Sequence, residues 1–559
     1  MRNAEASQIR LSGVVPPRRT FRDRVFSSSL YSRSLKNRTP KRFLFTPVDA
    51  IAGQKDRADT LFQGNFLLQG VSSKFKQAEP WFTKGLPLYW HQELHRFNWL
   101  RDFSANDSDA ARRHSRALLL SWIKEFEGYQ PHIWDPYILA RRLINWMQQS
   151  AFLLTKNDGD FNYKFIQSLR IQLQHLKRYC RYFSKEADQF ELYLALYLGT
   201  ACFTDTQSDA GRLEEQLLIE IDKVILPDGS HISRNPSQHL AALADLMALS
   251  ATYTNTDMLS PVPLTSAIER LTSAVRFFQH GDGALALFNG GYSLDESACS
   301  QVLSLSEKPA LLTLPPVQLT QAGFARLAEG SATLIVETAR KDKKTNRPAY
   351  AGIGSFEFSH DKNRLIVNCG AHPDESSDWS SALAQTAAHS TLCISDRNTK
   401  SSGSEKSKNL DPAPITLHEE GGNHWLEFEN LGYDASINIK HTRSLFLGST
   451  GQSLKGEDTV QAPNNRQEAI DFCLRFHLHP ELSVSNSVGG RSILMLTKDG
   501  AAWTFMTSLS EVFLEESVYC AQAGEVRNTK QIVLRGRLNN SDPLVIKWAL
   551  HQNTDKVSD

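Results

Sequence analysis

Apolar residues change their period once along this 559-residue chain. From about Leu86 to Leu305 they recur at helical spacing. SRALLLSWIKEF (115–126), DPYILARRLINWMQQSAFLL (135–154), FIQSLRIQLQHLKRYCRYF (165–183) and FELYLALYLGTACF (190–203) show it, as do LEEQLLIEIDKVI (213–225), HLAALADLMALSATY (239–253) and LTSAIERLTSAVRFFQ (264–279). This pattern predicts paired amphipathic helices joined by short turns, a series that can close into a toroid or stack as a solenoid. After LTLPPVQLTQ (313–320) the period falls to two. SATLIVETAR (331–340), GSFEFSH (354–360), RLIVNCG (364–370), HSTLCIS (389–395) and ASINIKHTRSLFLG (435–448) alternate or are β-branched, and AIDFCLRFHLH (469–479), SILMLTKDGAAWTFM (492–506) and QIVLRGRL (531–538) continue the pattern. Gly, Asn and Asp turns punctuate these runs, which predicts an antiparallel β-sandwich. The polar stretch 397–414 reads as a mobile loop.

The expected organisation is therefore α+β and multidomain. Residues 1–60 form a basic, partly flexible arm, 61–312 an α-helical (α/α) toroid and 313–559 an antiparallel β-sandwich. A chain of this length favours two or more cores. With 41% hydrophobic and 22% charged residues and a net charge of +1, the chain as a whole lacks the field of a nucleic-acid-binding protein. Charge is concentrated only at the start, where residues 1–42 hold eleven Arg/Lys against Glu5 and Asp23. This reads as a flexible or surface-docked arm, with a transit peptide or polyanion-binding arm as the alternatives. No apolar run is long enough for a secretory signal or for a membrane span of about 18 residues. The seven cysteines are scattered, without a CxxC, and read as reduced thiols. These features place the protein in the cytoplasm, with the periplasm as the alternative.

An ordered set of motifs narrows the reading. WHQELHRFNWLRDF (90–103), DPYILARRLINW (135–146), ILPDGSHISRNP (225–236) and HGDGALALFNGG (280–291) resemble the helical part of the heparinase II/III-like family. GSFEFSHDKNRLIVNCG (354–370), AAHSTLCISDRNT (387–399), LKGEDTV (454–460), DFCLRFHLHP (471–480) and EESVYCAQAG (515–524) resemble its β-domain. The resemblance implies a polysaccharide lyase that cleaves an acidic, uronate-containing glycan by β-elimination, in a cleft between toroid and sandwich. Such a reaction needs a neutraliser for the uronate carboxylate, a base for the adjacent proton and an acid for the leaving oxygen.

Carried over position by position, the family pattern is incomplete. Ala187 and Asp188 stand where an Asn-His pair is usual, although Glu191 fits. Gln238 takes the place of a catalytic Tyr ahead of His239. Pro348, Tyr350 and Gly352 occupy the HxHxD run, and Asn368 a metal-ligand Asp; only His389 remains of the zinc ligands. One His with a Tyr and an Asn lacks the charge and donors zinc prefers, so no metal or other cofactor is expected. Catalytic activity is left open between a subgroup with rearranged residues and a non-catalytic glycan-binding or cell-envelope protein on the same scaffold.

The candidate catalytic residues are His389, Tyr350 and His239. The candidate substrate-binding residues are Arg234, Asn235, His231 and Arg101. In LPDGSHISRNPSQH (226–239), Arg234 can pair bidentately with a carboxylate while Asn235 donates to the same group. A tight turn at Asp228-Gly229 with locally satisfied histidines is an equal alternative. His389 is either a base or neutraliser, or a hydrogen-bonded histidine at a strand start. Tyr350 needs a lowered pKa or a cationic neighbour to act as a base, and otherwise is an exposed loop tyrosine. His280, Asp282 and Asn289 read better as a packed hairpin than as a cleft lining. Trp90, Leu94 and Phe97 read better as core than as a sugar platform. His477 and His479 share a strand face and suit surface or interdomain contact. The expected partner is an acidic oligo- or polysaccharide, with no nucleic acid and no membrane span.

Overall fold

Short polar residues at the helix starts set where the helices begin. The computed structural model describes residues 20–36, 43–75, 79–156, 158–182, 188–203, 209–292, 296–306, 314–338, 350–374, 377–399, 415–430, 433, 438–462, 469–487, 489–522, 524–538 and 542–553. Ser108 caps Asp109–Phe126 by accepting from the Ala111 N–H, and Asp135 caps Pro136–Gln148, whose first residue is a proline with no N–H to satisfy. Helices follow at Gly159–Tyr182, Phe190–Cys202, Ala210–Val224, Pro236–Asn255, Val262–Phe277 and Glu296–Ser306. Phe190–Cys202 is apolar on nearly every side and is buried accordingly. Trp90, Leu94 and Phe97 are fully buried, as their spacing predicts. Between Lys55–Phe62 and Leu88–Arg96 lies a short hairpin, Asn65–Leu68 with Val71–Lys74, that helical periodicity did not indicate.

Part of the basic arm is ordered. Phe21–Phe26 and Ser29–Leu35 are helices, the first closed by a reciprocal capping box between Thr20 and Asp23. They are held by Phe26, buried against Tyr31, Tyr129 and His175, and by a 2.8 Å hydrogen bond between the Tyr31 hydroxyl and His175 Nδ1. The rest of the arm, residues 1–19 and 37–42, and most of the polar loop, residues 400–414, lie outside the described residues.

From residue 318 onward the described chain is mostly antiparallel strand. One sheet runs in the order Phe513–Tyr519, Arg527–Leu538, Ile470–Leu478, Asn363–Val367, Phe356–His360, Ala332–Glu337, Phe324–Glu329, Gln318–Leu319, with Leu392–Ile394 paired to Ile470–Leu478. The other runs Ser483–Asn486, Ser492–Leu496, Ala502–Thr507, Leu544–Gln552, Ser453–Gln461, Lys440–Leu447, Asn423–Asn430, Thr416–Glu420. Their alternating inward side chains form one apolar core, in which Phe356 of the first sheet stacks on Trp548 of the second at 5.6 Å. The run 492–506 is two strands, because Lys498, Asp499 and Gly500 turn the chain. Chain contacts define two compact units, residues 1–224 with 244–266 and residues 225–243 with 267–559.

One polar node lies inside the sandwich. Asp458 accepts from Arg443 Nε at 2.7 Å, His441 Nε2 at 2.8 Å and Trp548 Nε1 at 2.9 Å, and all four side chains are buried. Arg443 and its partners hold the Asp458 carboxyl far below the usual carboxylate range against the opposing effect of burial. Asp458→Asn keeps the shape but leaves the Arg443 charge unmatched. It should cost about 3–5 kcal/mol of stability, read as a lower denaturant midpoint, and an unchanged midpoint refutes the node.

His175 gives a pH test. Burial lowers its pKa to about 3 in the fold, against about 6.5 when unfolded. The unfolded chain therefore binds the extra proton, so this histidine's contribution is complete above pH about 6.5 and is lost as pH falls towards about 3, by up to about 1.4 kcal/mol per pH unit. Acidification through that window should speed amide exchange in residues 20–36, and His175→Asn should remove about one proton from the slope of stability against pH.

Candidate functional site

The loop before Pro236–Asn255 is shaped by its own short-range bonds. Gly229 has φ +84°, and a Cβ there would lie 2.1 Å from the Arg270 carbonyl oxygen, so only glycine fits. Asp228 does more than turn the chain. Its Oδ1 accepts from the Ser230 N–H and hydroxyl, and its Oδ2 accepts from the N–H groups of Gln321 (2.6 Å) and Ala322 (3.1 Å), next to the first sheet's strand Phe324–Glu329. Asn235 caps the helix, its Oδ1 accepting from Ser237 at 2.9 Å.

The two histidines of this loop are used internally. The His231 N–H donates to His239 Nε2 at 2.9 Å, which fixes the proton on Nδ1, and Nδ1 donates to the Asn235 carbonyl at 2.7 Å. Both nitrogens of His239 are thus engaged, and burial lowers its pKa to about 4. It is neutral near neutrality and has no lone pair left to take a proton from a substrate. His231 is buried beside Ser233, whose N–H it accepts at 3.2 Å.

Arg234 adopts a left-handed backbone, φ +59°. Its side chain is 7% exposed and lies over the Phe324 ring. Nη2 donates to Glu337 Oε1 at 2.7 Å and Nε to the Ala322 carbonyl at 2.6 Å. Glu337, the last residue of Ala332–Glu337, is 1% exposed at its side chain. Its charge is matched by an arginine 103 residues earlier in the chain.

Glu337 leads to His389. A Cβ on Gly352 would lie 2.8 Å from Glu337 Oε2, 2.8 Å from His389 Cδ2 and 3.2 Å from Nε2, so the missing side chain at Gly352 leaves the room between them. His389 donates from Nδ1 to the Gln385 carbonyl at 2.8 Å, while Nε2 has no hydrogen-bond partner among the described residues. Burial lowers its pKa, opposed by the Gln385 bond and by the charges of Glu337 and Glu357. The half-buried Tyr350 stands edge-on, ring centres 6.3 Å apart. Of the sequence-expected residues, Arg234, Tyr350 and His389 are therefore linked through Glu337 and Gly352. His231, Asn235 and His239 build the loop that carries Arg234. Arg101 belongs to the other compact unit, where its Nε lies 3.2 Å from Asp49 Oδ2.

A second carboxylate, Glu357, is buried nearby. It accepts from the N–H groups of Leu287 (3.1 Å) and Asn368 (3.0 Å) and from His280 Nε2 (3.1 Å). His280 and Asp282 belong to a packed hairpin as expected, Asp282 accepting from Arg364 Nε at 2.8 Å. Asn289 lies there with its side-chain nitrogen buried and unpartnered among the described residues. His477 is buried rather than at the surface, between Ser517 (2.7 Å) and the Ala387 carbonyl (3.0 Å), because its strand face is covered by the His389 segment. Glu337 and Glu357 were missed in the sequence. The available signal was a single carboxylate inside each of the runs TLIVE and SFEF.

The positions matching the family's zinc ligands do not fit a metal. Gly352 has no donor and Asn368 spends its Oδ1 on the Ser390 N–H at 3.0 Å. No group of three His, Cys, Asp or Glu among the described residues could hold an ion. Pro348 and Ala187 lie outside the described residues, and Asp188 accepts at its carbonyl from the Tyr137 hydroxyl. In the helical unit Arg141 is bidentate to Asp245, at 2.9 and 2.8 Å, and also bonds Glu191. No helix among the described residues is long and apolar enough to cross a membrane.

Comparison with known proteins agrees with this architecture. The chain is 28% identical over 528 residues to FtsZ-localized protein C of Caulobacter vibrioides, covering 90% of this chain and 88% of that one. It is similar to the crystal structure of heparinase III, with TM-score 0.71 and 16% identity over 94% of this chain and 89% of that one. It is also similar to a heparan sulfate lyase mutant from Pedobacter heparinus, with TM-score 0.61 and 14% identity over 94% and 88%. These likenesses show a helical toroid followed by a sandwich. Residues 312–549 match the family description "Heparinase II/III-like, C-terminal", so this part of the chain carries that family's C-terminal domain.

Proposed function

We propose that this chain works by binding rather than by turnover, as a non-catalytic protein of the cell envelope or division machinery on a polysaccharide-lyase scaffold. The observation that carries this reading is the Arg234–Glu337 pair. β-Elimination needs a cation or donor free to neutralise a uronate carboxylate as the adjacent proton leaves. Here Arg234 already holds a carboxylate of the chain itself at 2.7 Å, both partners buried. Arg141 is bidentate to Asp245 and Arg364 to Asp282, and Arg101 lies 3.2 Å from Asp49. A substrate carboxylate would have to displace Glu337 and leave it charged and buried, which costs several kcal/mol. The relative named for its localisation with FtsZ supports the same reading.

The lyase alternative keeps one observation in its favour. His389 is a neutral imidazole with an open Nε2 and a tyrosine beside it, the protonation state a general base requires. Incubation with a panel of uronate polymers and oligomers, followed by ultraviolet absorbance of the unsaturated product, decides between the two. No absorbance gain is expected. Product that forms with the wild type and is abolished by His389→Ala overturns the proposal, as does a fluorescent fusion that stays diffuse in cells with an assembled FtsZ ring.

Arg234→Ala tests the pair itself. It leaves Glu337 buried without a counter-charge and should destabilise the fold by about 3–5 kcal/mol. Arg234→Met combined with Glu337→Gln should recover much of that loss. An Arg234→Ala protein of unchanged stability that binds acidic glycan more than tenfold more weakly shows a gripping arginine instead.

A further inference from the structure

Two cysteines far apart in sequence stand directly opposite each other in the first sheet. Cys393 of Leu392–Ile394 is the register partner of Cys473 in Ile470–Leu478. The ladder bonds on either side, Arg475 N–H to the Thr391 carbonyl (3.1 Å) and Ser395 N–H to the Asp471 carbonyl (2.9 Å), fix the register two residues away in each direction. Cys393 and Cys473 are therefore a hydrogen-bonded-type pair, with Cα atoms about 5.5 Å apart, inside the range of about 4.4–6.8 Å that a disulfide bridges. Opposed residues project to one side of the sheet. In Ile470–Leu478 the core face is Ile470, Phe472, Leu474 and Phe476, so Cys473 points the other way with Asp471 and Arg475.

The surroundings give the two thiols different roles. Cys473 is half-buried and Cys393 is buried. The register partner of Cys473 on its other side is Arg535, and Arg475 follows two residues later on the same face. The charged groups around the pair are thus Arg475, Arg535 (paired with Glu515), Asp471 (paired with Arg537) and Asp396. Cys473 is the more exposed of the two, and burial pushes the Cys393 thiol up to about 11, so Cys473 is the first to react.

We propose that Cys393 and Cys473 are a modification site, forming a cross-strand disulfide when the protein meets a small-molecule disulfide of the glutathione class. The Cys473 thiolate attacks one sulfur of that disulfide, forming a mixed disulfide and releasing one small thiolate. Cys393 then loses its proton, attacks the Cys473 sulfur and expels the second small thiolate. Two protein thiols are oxidised and one small disulfide is reduced to two thiols. The bond acts on the segment that carries His389. That segment already runs along Ile470–Leu478 through the Ser390 hydroxyl, which accepts the His477 N–H at 2.9 Å, and through the Ala387 carbonyl. A covalent link four residues past His389 holds it there. This inference does not depend on whether the protein is catalytic.

The test is to treat the full-length protein with glutathione disulfide, block the remaining thiols with a maleimide, and map peptides without reduction. The expected result is a linked peptide pair containing Cys393 and Cys473, reversed by dithiothreitol, with slower amide exchange in residues 386–399. In Cys393→Ser the reaction should stop with glutathione retained on Cys473. In Cys473→Ser the linked pair should be absent, and Cys393 should react with glutathione at least tenfold more slowly than Cys473 does in Cys393→Ser. Glutathione left on wild-type Cys473 without a link, an unreactive wild type, or a link between other cysteines overturns the proposal.

Discussion

The buried contact between Arg234 and Glu337 organises the second compact unit. A guanidinium and a carboxylate taken out of water must each find a partner, and here the partners come from a loop ahead of a helix and from the end of a strand. Around that demand the loop is built inward. Asp228 ties it to Gln321 and Ala322, Ala322 accepts from Arg234 Nε, and the His231–His239 bond closes the turn. Each bond restricts where Arg234 can point, and the left-handed backbone at Arg234 is the cost of pointing it at Glu337.

Other buried polar groups are likewise paired within the chain. An enzyme that stabilises a developing anion keeps donors preorganised but unspent, so that the strongest interaction arises in the transition state. Three groups of this chain are instead committed to partners of its own. Arg141 holds both oxygens of Asp245, Arg364 holds both oxygens of Asp282, and His239 uses both ring nitrogens within its own loop. Groups committed in this way rigidify the scaffold.

Periodicity carried most of the architecture because burial on one face leaves a trace in every turn or strand. The helix Asp109–Phe126 and the strand Ile470–Leu478 are both legible from their apolar spacing. Elements with little apolar contrast were not. Thr416–Glu420 is nearly all exposed, and the four-residue strands Asn65–Leu68 and Val71–Lys74 are too short to show a period. The site was harder for a different reason. An isolated Glu in SATLIVETAR looks like an outward-facing strand residue, and nothing local reveals an arginine 103 positions away. Arg234 was visible as a residue of interest, while its partner, and with it the distinction between gripping and bracing, depended on tertiary structure.

His389 is held by one ring nitrogen while the other has no hydrogen-bond partner among the described residues. Its Nδ1–H satisfies the Gln385 carbonyl, and its Nε2 edge fills space that Gly352 leaves beside Glu337. Gly352 carries no side chain, and a Cβ there would meet both Glu337 and His389. Glu337 keeps one carboxylate in the vicinity, and Arg234 supplies the positive charge that pairs with it. Glu357 adds a second buried carboxylate nearby, held by His280 Nε2 and two backbone N–H groups, and burial lowers the His389 pKa. The Arg234–Glu337 pair is satisfied when nothing is bound, and displacing Glu337 from it would leave a buried carboxylate without its counter-charge.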